Sequence, residues 1–197
     1  MCLDFIRTLR HRGSADAADV VEELADPASL AAWVRQFWPH VGEPPAQVAV
    51  GQVESAQVES ARALREAVHQ LILAARSERG AAACDPTSAE LLNQAAAHPV
   101  PAPRLDTSGQ LHWHAADPVT ATLALIARDA LDLATTPAAT RIRACAGPHC
   151  DALFLDNSRP GSRRWCSMDT CGNPAKKTAL KTALKTAHHD KTAAPTA

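Results

Sequence analysis

The sequence has few aromatic residues and no tyrosine, and these absences narrow the possible fold classes. Aromatic side chains make up 4 % of the 197 residues. Strands of β-sandwiches and barrels are usually enriched in aromatic and β-branched residues. Alanine, which supplies much of the 46 % hydrophobic content, is the strongest helix former. The composition therefore predicts a mainly α-helical globular protein with shallow packing.

The sequence also lacks a long apolar run. No stretch approaches the roughly eighteen consecutive apolar residues that indicate a membrane helix. The first residues, MCLDFIRTLRHR, include acidic Asp4 and have no apolar core of the kind found in a signal peptide. We therefore expect a cytoplasmic protein with no membrane partner, in which cysteine thiols stay reduced. We expect Cys2 and Cys84, which are far from the other cysteines, to be packing residues.

Charge is distributed unevenly along the chain, although the net charge is only −1. Residues 1–140 contain 10 Lys/Arg and 17 Asp/Glu, which gives −7. Residues 141–197 contain 10 Lys/Arg and 4 Asp/Glu, which gives +6. Such asymmetry is typical of a protein whose basic end meets a nucleic acid or a membrane surface.

Helix starts are indicated by a capping residue followed by proline. An Asp, Asn or Thr side chain can accept a hydrogen bond from a first-turn N–H group. Proline suits the next position because it has no N–H group that would lack a partner there. The five such pairs are Asp26-Pro27, Asp85-Pro86, Asp117-Pro118, Thr136-Pro137 and Asn173-Pro174. They predict five helix starts.

Apolar spacing supports a multihelical region over residues 1–140. Apolar residues recur at helical intervals after Pro27, from about Gln52 to Arg76, and after Pro118. Around a Thr-Ser-Gly turn, Leu105 and the segment 111–114 (LHWH) predict a small β-hairpin. The last residues, 188–197, are expected to be a disordered tail.

Four cysteines near the C-terminus predict a metal site. They occur as Cys145-x4-Cys150, fifteen residues, and Cys166-x4-Cys171. Four thiolates can form a tetrahedral zinc shell and stabilise a segment too small for its own core. We therefore predict one structural Zn²⁺ in a treble-clef-like finger, with a β-hairpin and a helix, over residues 141–187.

Two alternatives for this cluster stay open. His149 could replace one cysteine as a ligand, or the four thiols could be buried or disulfide-bonded without metal. An enzyme is not expected, because four thiolates leave no open coordination position for a catalytic zinc. The sequence also shows no Ser/His/Asp arrangement, phosphate-binding glycine loop or pair of catalytic carboxylates.

Basic residues surround the cysteines and continue beyond them. Lys177, Lys181 and Lys185 recur every four residues, so they would lie along one helix face. With the loop arginines they form a candidate DNA-phosphate surface, in which Arg163 and Arg164 are the best candidates for guanine contacts. The alternative is a solvated cationic face. The candidate nucleic-acid residues are Arg159, Arg163, Arg164, Lys176, Lys177, Lys181 and Lys185.

Residues 145–177 resemble the CGNR-type zinc finger in the pattern C-x4-C-x2-L-F-L-D-N-S-R-x4-R-R-W-C-S-M-x2-C-G-N. Residues 1–140 are similar to the helical ABATE domain that precedes this finger. The matching segments there are 3–5 (LDF), 63–67 (ALREA) and 111–113 (LHW). Together the two resemblances cover nearly the whole chain.

The resemblance implies a stress-induced transcription regulator whose finger binds DNA. It implies that the four cysteines are the zinc ligands, that Trp165 packs beside the metal and that Gly172-Asn173 forms the turn into the helix. The helical domain would act as a sensor, with an unknown small-molecule effector, or as an oligomerisation module in a homodimer. The alternative functions are protein–protein contact by the finger and thiol redox sensing.

Two positions depart from the family pattern. Pro174 occupies the position that follows Gly-Asn, where the family has arginine, and this removes one positive charge from the expected contact surface. Arg7 stands where the opening pattern of the family has asparagine. A buried hydrogen bond or a pocket made by that asparagine would therefore be changed in this chain.

Overall fold

The structure is a computed structural model, and it describes residues 1–14, 16–37, 53–148, 150–179 and 181. Among the described residues, the N-terminal region contains five α-helices. These are α1 (Cys2–Ile6), α2 (Pro27–Phe37), α3 (Ser55–Ala75), α4 (Pro86–Ala97) and α5 (Pro118–Thr135). Short 3₁₀ helices span Ala17–Asp19, Gly80–Ala83 and Pro137–Arg141.

In the described part of the chain, three antiparallel two-stranded ribbons accompany the helices. Their strands are β1 (Leu9–Arg10) with β2 (Val21–Glu22), β3 (Ala102–Leu105) with β4 (Leu111–His114), and β5 (Ile142–Ala144) with β6 (Leu153–Leu155). The β3–β4 ribbon is the hairpin that the sequence predicts. The mainly α fold with small hairpins is confirmed.

Asp–Pro pairs begin three of the helices as predicted. The N–H of Ser29 donates to Asp26 at 2.8 Å in α2. In α4 the N–H of Ser88 donates to Asp85 at 2.9 Å. In α5 Asp117 accepts from the N–H groups of both Val119 and Thr120. Each carboxylate satisfies first-turn donors that have no partner within the helix.

The other two predicted helix starts turn out differently. Thr136-Pro137 begins a 3₁₀ helix, and no side-chain hydrogen bond caps it. The prediction that a helix begins at Asn173-Pro174 is wrong. The final helix, α6, begins as a π turn over Met168–Gly172, is capped by the Ser167 side chain, and continues as α-helix over 173–179. Pro174 therefore lies inside the helix rather than at its start.

The core of the N-terminal region lies among α3, α4 and α5, with α1 and α2 packed on them. Most of its side chains are aliphatic, and Phe5, Leu30, Ile72, Leu92 and Ile126 are completely buried. Phe5 packs against Trp33 with ring centroids 5.0 Å apart. This burial of apolar surface is the main stabilising term for the region.

A buried ion pair ties the first ribbon to this core. The guanidinium of Arg65 in α3 is almost fully buried and donates to both carboxylate oxygens of Glu22, each at 2.6 Å. It also donates to the hydroxyl of Thr8 at 3.2 Å. Because a buried guanidinium needs partners for its donors, this pair fixes β2 against α3.

The β5–β6 ribbon belongs to both parts of the molecule. Successive residues of a strand point to opposite faces. Leu153 packs with Ile142 in the helical core, whereas Phe154 packs with the cysteine cluster. The ribbon therefore holds the finger against the helical domain.

Several predicted features fall outside the described residues. They are His149, Lys185 and the tail 188–197. The division into 1–140, 141–187 and 188–197 stays a prediction. In the part of the chain that the structure describes, no helix combines the length and the hydrophobicity needed to cross a membrane.

Candidate metal centre and cationic face

The four predicted cysteine ligands come together in the finger. Their sulfur atoms all lie within 4.8 Å of one another. The Sγ atoms of Cys150 and Cys166 are 3.7 Å apart, and those of Cys166 and Cys171 are 3.8 Å apart. All six cysteines of the chain are free, so the disulfide alternative is wrong.

Each sulfur is positioned by a different short element. Cys145 follows β5, Cys150 ends the knuckle before β6, Cys166 follows the loop after β6, and Cys171 lies in the first turn of α6. The N–H of Cys145 donates to the carbonyl of Ala152 at 2.9 Å, which closes the knuckle across the ribbon. The cluster is therefore made by knuckle, hairpin and helix, as a treble-clef-like finger requires.

Close packing inside the knuckle explains the glycine at position 147. A Cβ atom added there would lie 3.1 Å from Cys150 Cβ and 3.3 Å from Cys171 Sγ. Both distances are tighter than ordinary van der Waals contact. Gly147 therefore lets the backbone approach the sulfur atoms without displacing either cysteine.

The surroundings of the sulfur atoms shift the pKa values of three of the four cysteines. Burial and the neighbouring sulfurs raise the pKa of Cys166 and of Cys171 above the ordinary value. Burial also acts against ionisation of Cys145, but N–H donors from Cys166 and Gly147 hold its pKa below the ordinary value. The N–H of Cys166 lies 3.3 Å from Cys145 Sγ. Several thiolates this close together need a cation to balance their charge.

The donor set and its dimensions fit Zn²⁺. Zinc–sulfur bonds of about 2.3 Å in a tetrahedron place the sulfur atoms about 3.8 Å apart. The Cys150–Cys166 and Cys166–Cys171 separations agree with this value, and all the sulfur atoms lie within 4.8 Å of one another. Four sulfur ligands complete a structural shell and leave no position for a reacting water. The cluster is therefore a site for one structural zinc ion.

A buried aspartate that the sequence analysis missed organises the loop after β6. Asp156 is completely buried and accepts from the N–H groups of Ser158 and Arg163, each at 2.9 Å. The Ser158 hydroxyl, these N–H groups and the nearby Arg141 hold the pKa of Asp156 below its ordinary value. Arg141 in turn donates to the carbonyl of Ser158. The ionised carboxylate thus fixes the chain that leads to Cys166.

Arg163 is largely engaged within the finger. Its Nε donates to the carbonyl of Trp165 at 2.8 Å, and its Nη2 donates to the carbonyl of Cys166. The guanidinium also lies over the Phe154 ring, 4.9 Å from the centroid. These contacts support the segment that carries the third sulfur, so much of the donor capacity of Arg163 is used internally.

Trp165 is the centre of a cationic face. The guanidinium of Arg164 lies 5.1 Å from the indole ring, and the Lys176 ammonium lies 5.8 Å from it. Both distances fall within the range of a cation–π contact. Trp165 also packs against the cysteine cluster, as the resemblance implies. One loop cation and one helix cation therefore meet at the metal centre.

Three of the other predicted basic residues are exposed on the finger. Arg159 is exposed in the loop after β6, and Lys177 and Lys181 are exposed on α6. Lys185 lies outside the described residues. Arg143 on β5 is also exposed, and the sequence analysis missed it because its place in a strand beside the finger is a tertiary feature.

Profiles of known families agree with this geometry. Residues 1–137 match the family ABATE, described as "Putative stress-induced transcription regulator". The chain belongs to the ABATE family. Residues 141–182 match the CGNR zinc finger. No curated protein matches the chain. The resemblance predicted from the motifs is confirmed, and both families are regulatory rather than enzymatic.

The family motifs named in the sequence analysis meet in the ABATE domain. Thr8, three residues after the LDF segment, accepts a hydrogen bond in the core from Arg65 of the ALREA segment. Arg7, by contrast, is exposed and lies 4.0 Å from Asp4. The departure at this position therefore changes a surface, and it leaves the buried contact of Thr8 intact.

The cysteines outside the CGNR finger are packing residues. Cys2 is buried at the start of α1, and its N–H donates to Asp129 at 2.6 Å. Cys84 is half-buried beside the 3₁₀ helix Gly80–Ala83 and packs against the helical core. Neither lies in the four-sulfur cluster.

Proposed function

We propose that this protein is a DNA-binding transcription regulator whose finger contacts duplex DNA through the cationic face around Trp165. The contact residues are Arg164, Lys176, Lys177, Lys181, Lys185 and Arg159, with Arg163 supporting the metal loop. The structural zinc holds the loop that carries Arg164 and the helix that carries Lys176. The ABATE domain acts as a sensor or oligomerisation module.

The observation that carries this proposal is the convergence of Arg164 and Lys176 on one indole ring. Bringing two like charges together on an exposed face is unfavourable unless an aromatic ring or a polyanion compensates them. Duplex DNA supplies a dense row of negative charges that matches such a face. The acidic ABATE domain would be repelled, so it faces away from the DNA.

The test is the salt dependence of binding to random-sequence duplex DNA, measured by fluorescence anisotropy on the zinc-loaded chain. The expected log K falls by about 0.9 per log unit of salt for each phosphate that is neutralised. The triple variant R164Q/K176Q/K177Q should bind more weakly and show a slope reduced by about 0.9 for each lost contact. The matched variant R76Q/R79Q, which removes two exposed charges from the ABATE domain, should bind as the unaltered chain does.

A salt-independent affinity, or equal slopes for the two variants, would contradict DNA contact through this face. Such a result would favour the alternative of a protein-contact module. Thiol redox sensing also stays a hypothesis, and zinc release by mild peroxide would test it. A homodimer stays a prediction that sedimentation of the zinc-loaded chain can measure.

A further inference from the structure

A cleft of about 610 Å³ separates the finger from the helical domain. One wall is formed by the segment 6–12 and by His69 of α3, and the other by the knuckle and by α6. This volume lies within the roughly 300–1,000 Å³ that small-molecule sites usually occupy. The cleft is therefore large enough for an organic ligand that touches both parts of the molecule.

Positive charge is concentrated on the helical-domain wall. Arg7, Arg10 and Arg12 all line the cleft there. On the opposite wall, the finger contributes acidic Asp151 and the sulfur ligands Cys150, Cys166 and Cys171, so the negative charge of the cleft lies on the finger side. The backbone of His11 has a φ of 57°, which is uncommon outside glycine, and this turn sets the direction of its neighbours. The wall is thus complementary to an anion.

Two of these arginines retain donors for a ligand. Arg12 is used internally, because it donates to Glu66 and to the carbonyl of Ile6. Arg7 lies 4.0 Å from its acidic neighbour Asp4, which is beyond hydrogen-bonding distance. Arg10 pairs with Glu23 through one terminal nitrogen. A guanidinium has five N–H donors, so Arg7 and Arg10 can each donate hydrogen bonds to a further carboxylate.

The remainder of the lining is mostly apolar. Ile6 and Leu9 contribute from the helical domain, Leu153 from β6, and Pro174 and Ala175 from α6. An inorganic anion would leave this surface uncovered. A ligand that fits both features has one negative group and an apolar body.

We propose that this cleft binds a small organic carboxylate. Its carboxylate is held by Arg7 and Arg10, and its apolar body lies between Leu9 and the helix α6. The ligand contacts the finger and the helical domain at once, which makes it an effector of the arrangement between them. This inference goes beyond the proposed DNA contact and can be tested without DNA.

The test is isothermal titration calorimetry of the full zinc-loaded chain with octanoate, benzoate and 2-naphthoate. Each carboxylate is compared with its neutral alcohol: octan-1-ol, benzyl alcohol and 2-naphthylmethanol. We expect saturable one-site binding of at least one carboxylate, with its alcohol about tenfold weaker because the charge-assisted hydrogen bonds are lost. R7Q/R10Q should lower the carboxylate affinity about tenfold, whereas R76Q/R79Q should not change it.

A second variant keeps the test independent of the arginines. A175F narrows the cleft from the finger side and should abolish binding of the carboxylate while zinc stoichiometry stays at that of the unaltered chain. Three outcomes overturn the proposal: no carboxylate saturates below about 10 mM, the alcohols bind as tightly as the acids, or R7Q/R10Q retains full affinity. Because DNA is absent, failure here is distinct from failure of the proposed DNA contact.

Discussion

The ABATE domain and the CGNR finger differ in the size of their buried cores. The ABATE domain buries side chains from five helices, including Phe5, Leu30 and Ile126. The buried cluster of the finger consists of Cys145, Phe154 and Cys171. Within the described part of the finger, these three side chains cannot offset the conformational entropy of a segment of this length. Apolar burial therefore stabilises the first region, whereas a bound metal must stabilise the second.

Removing a zinc ligand should have the largest effect, and it should be confined to the finger. In zinc-finger peptides, structural zinc contributes about 10–16 kcal/mol of apparent folding free energy. The variant C171S is therefore expected to lose zinc and to collapse the amide NMR dispersion of residues 141–179. Resonances of α3 and α5 should stay dispersed.

C84S is the matched control, because Cys84 is a half-buried thiol outside the cluster. It should retain one zinc per chain and the amide NMR dispersion of the finger. Loss of the helical resonances together with those of the finger in C171S would show that the two regions are not stabilised separately.

A cavity in the ABATE core should have the next largest effect. Ile126 is completely buried in α5. I126A is expected to lower the free energy of unfolding by about 2–5 kcal/mol, since it removes buried methyl groups and leaves a cavity. Urea unfolding monitored by circular dichroism measures this change. L73A, at a position that is 38 % exposed on α3, should cost less than about 1 kcal/mol, and equal losses would contradict the packing described.

The Arg65–Glu22 pair should make the stability of the ABATE domain depend on pH. Burial acts to raise the pKa of Glu22, but the hydrogen bonds from Arg65 outweigh it and hold the pKa below the ordinary value of 4.5. A lowered folded-state pKa gives stability that is present above pH 4.5 and is lost as the pH falls through the folded value. E22Q should thus be less stable than the unaltered chain at neutral pH, and the gap should narrow in acid.

Thermal unfolding of E22Q and of the unaltered chain, from neutral to acid pH at a constant zinc concentration, measures this difference in stability. E78Q, which changes an exposed carboxylate, serves as the control. A gap between E22Q and the unaltered chain that is the same at every pH would show that the ion pair does not titrate as described.

The smallest effect is expected at a helix cap. Asp85 accepts a hydrogen bond from the N–H of Ser88 at the start of α4. D85A should cost about 1 kcal/mol because a first-turn donor loses its partner. T87A in the same turn makes no cap, so it should cost less. A ranking in which T87A costs more than D85A would contradict the capping role.

Local signals in the sequence predict local structure well. The Asp85-Pro86 and Asp117-Pro118 pairs mark two helix starts because a cap and a proline act within one turn. The spacing of the four cysteines predicts the sulfur cluster because a tetrahedral shell constrains its ligands directly. The predicted start of α6 at Asn173-Pro174 is wrong because the helix begins earlier, with a π turn that the Ser167 side chain caps.

Features that depend on the tertiary arrangement could not be predicted. Glu22 and Arg65 are far apart in sequence, and nothing local indicates their pairing. Asp156 resembles any loop aspartate until its burial is known. The internal contacts of Arg163 and the cationic wall of the cleft likewise appear only when separate segments meet.

The central claim is that four sulfur atoms hold one zinc ion that stabilises the finger. Zinc K-edge X-ray absorption on the reduced, purified chain, together with its metal stoichiometry, tests this most directly. The account predicts one zinc per chain, surrounded by four sulfur atoms at about 2.3 Å. A reduced chain without zinc, or a shell in which nitrogen from His149 replaces a sulfur, would contradict it.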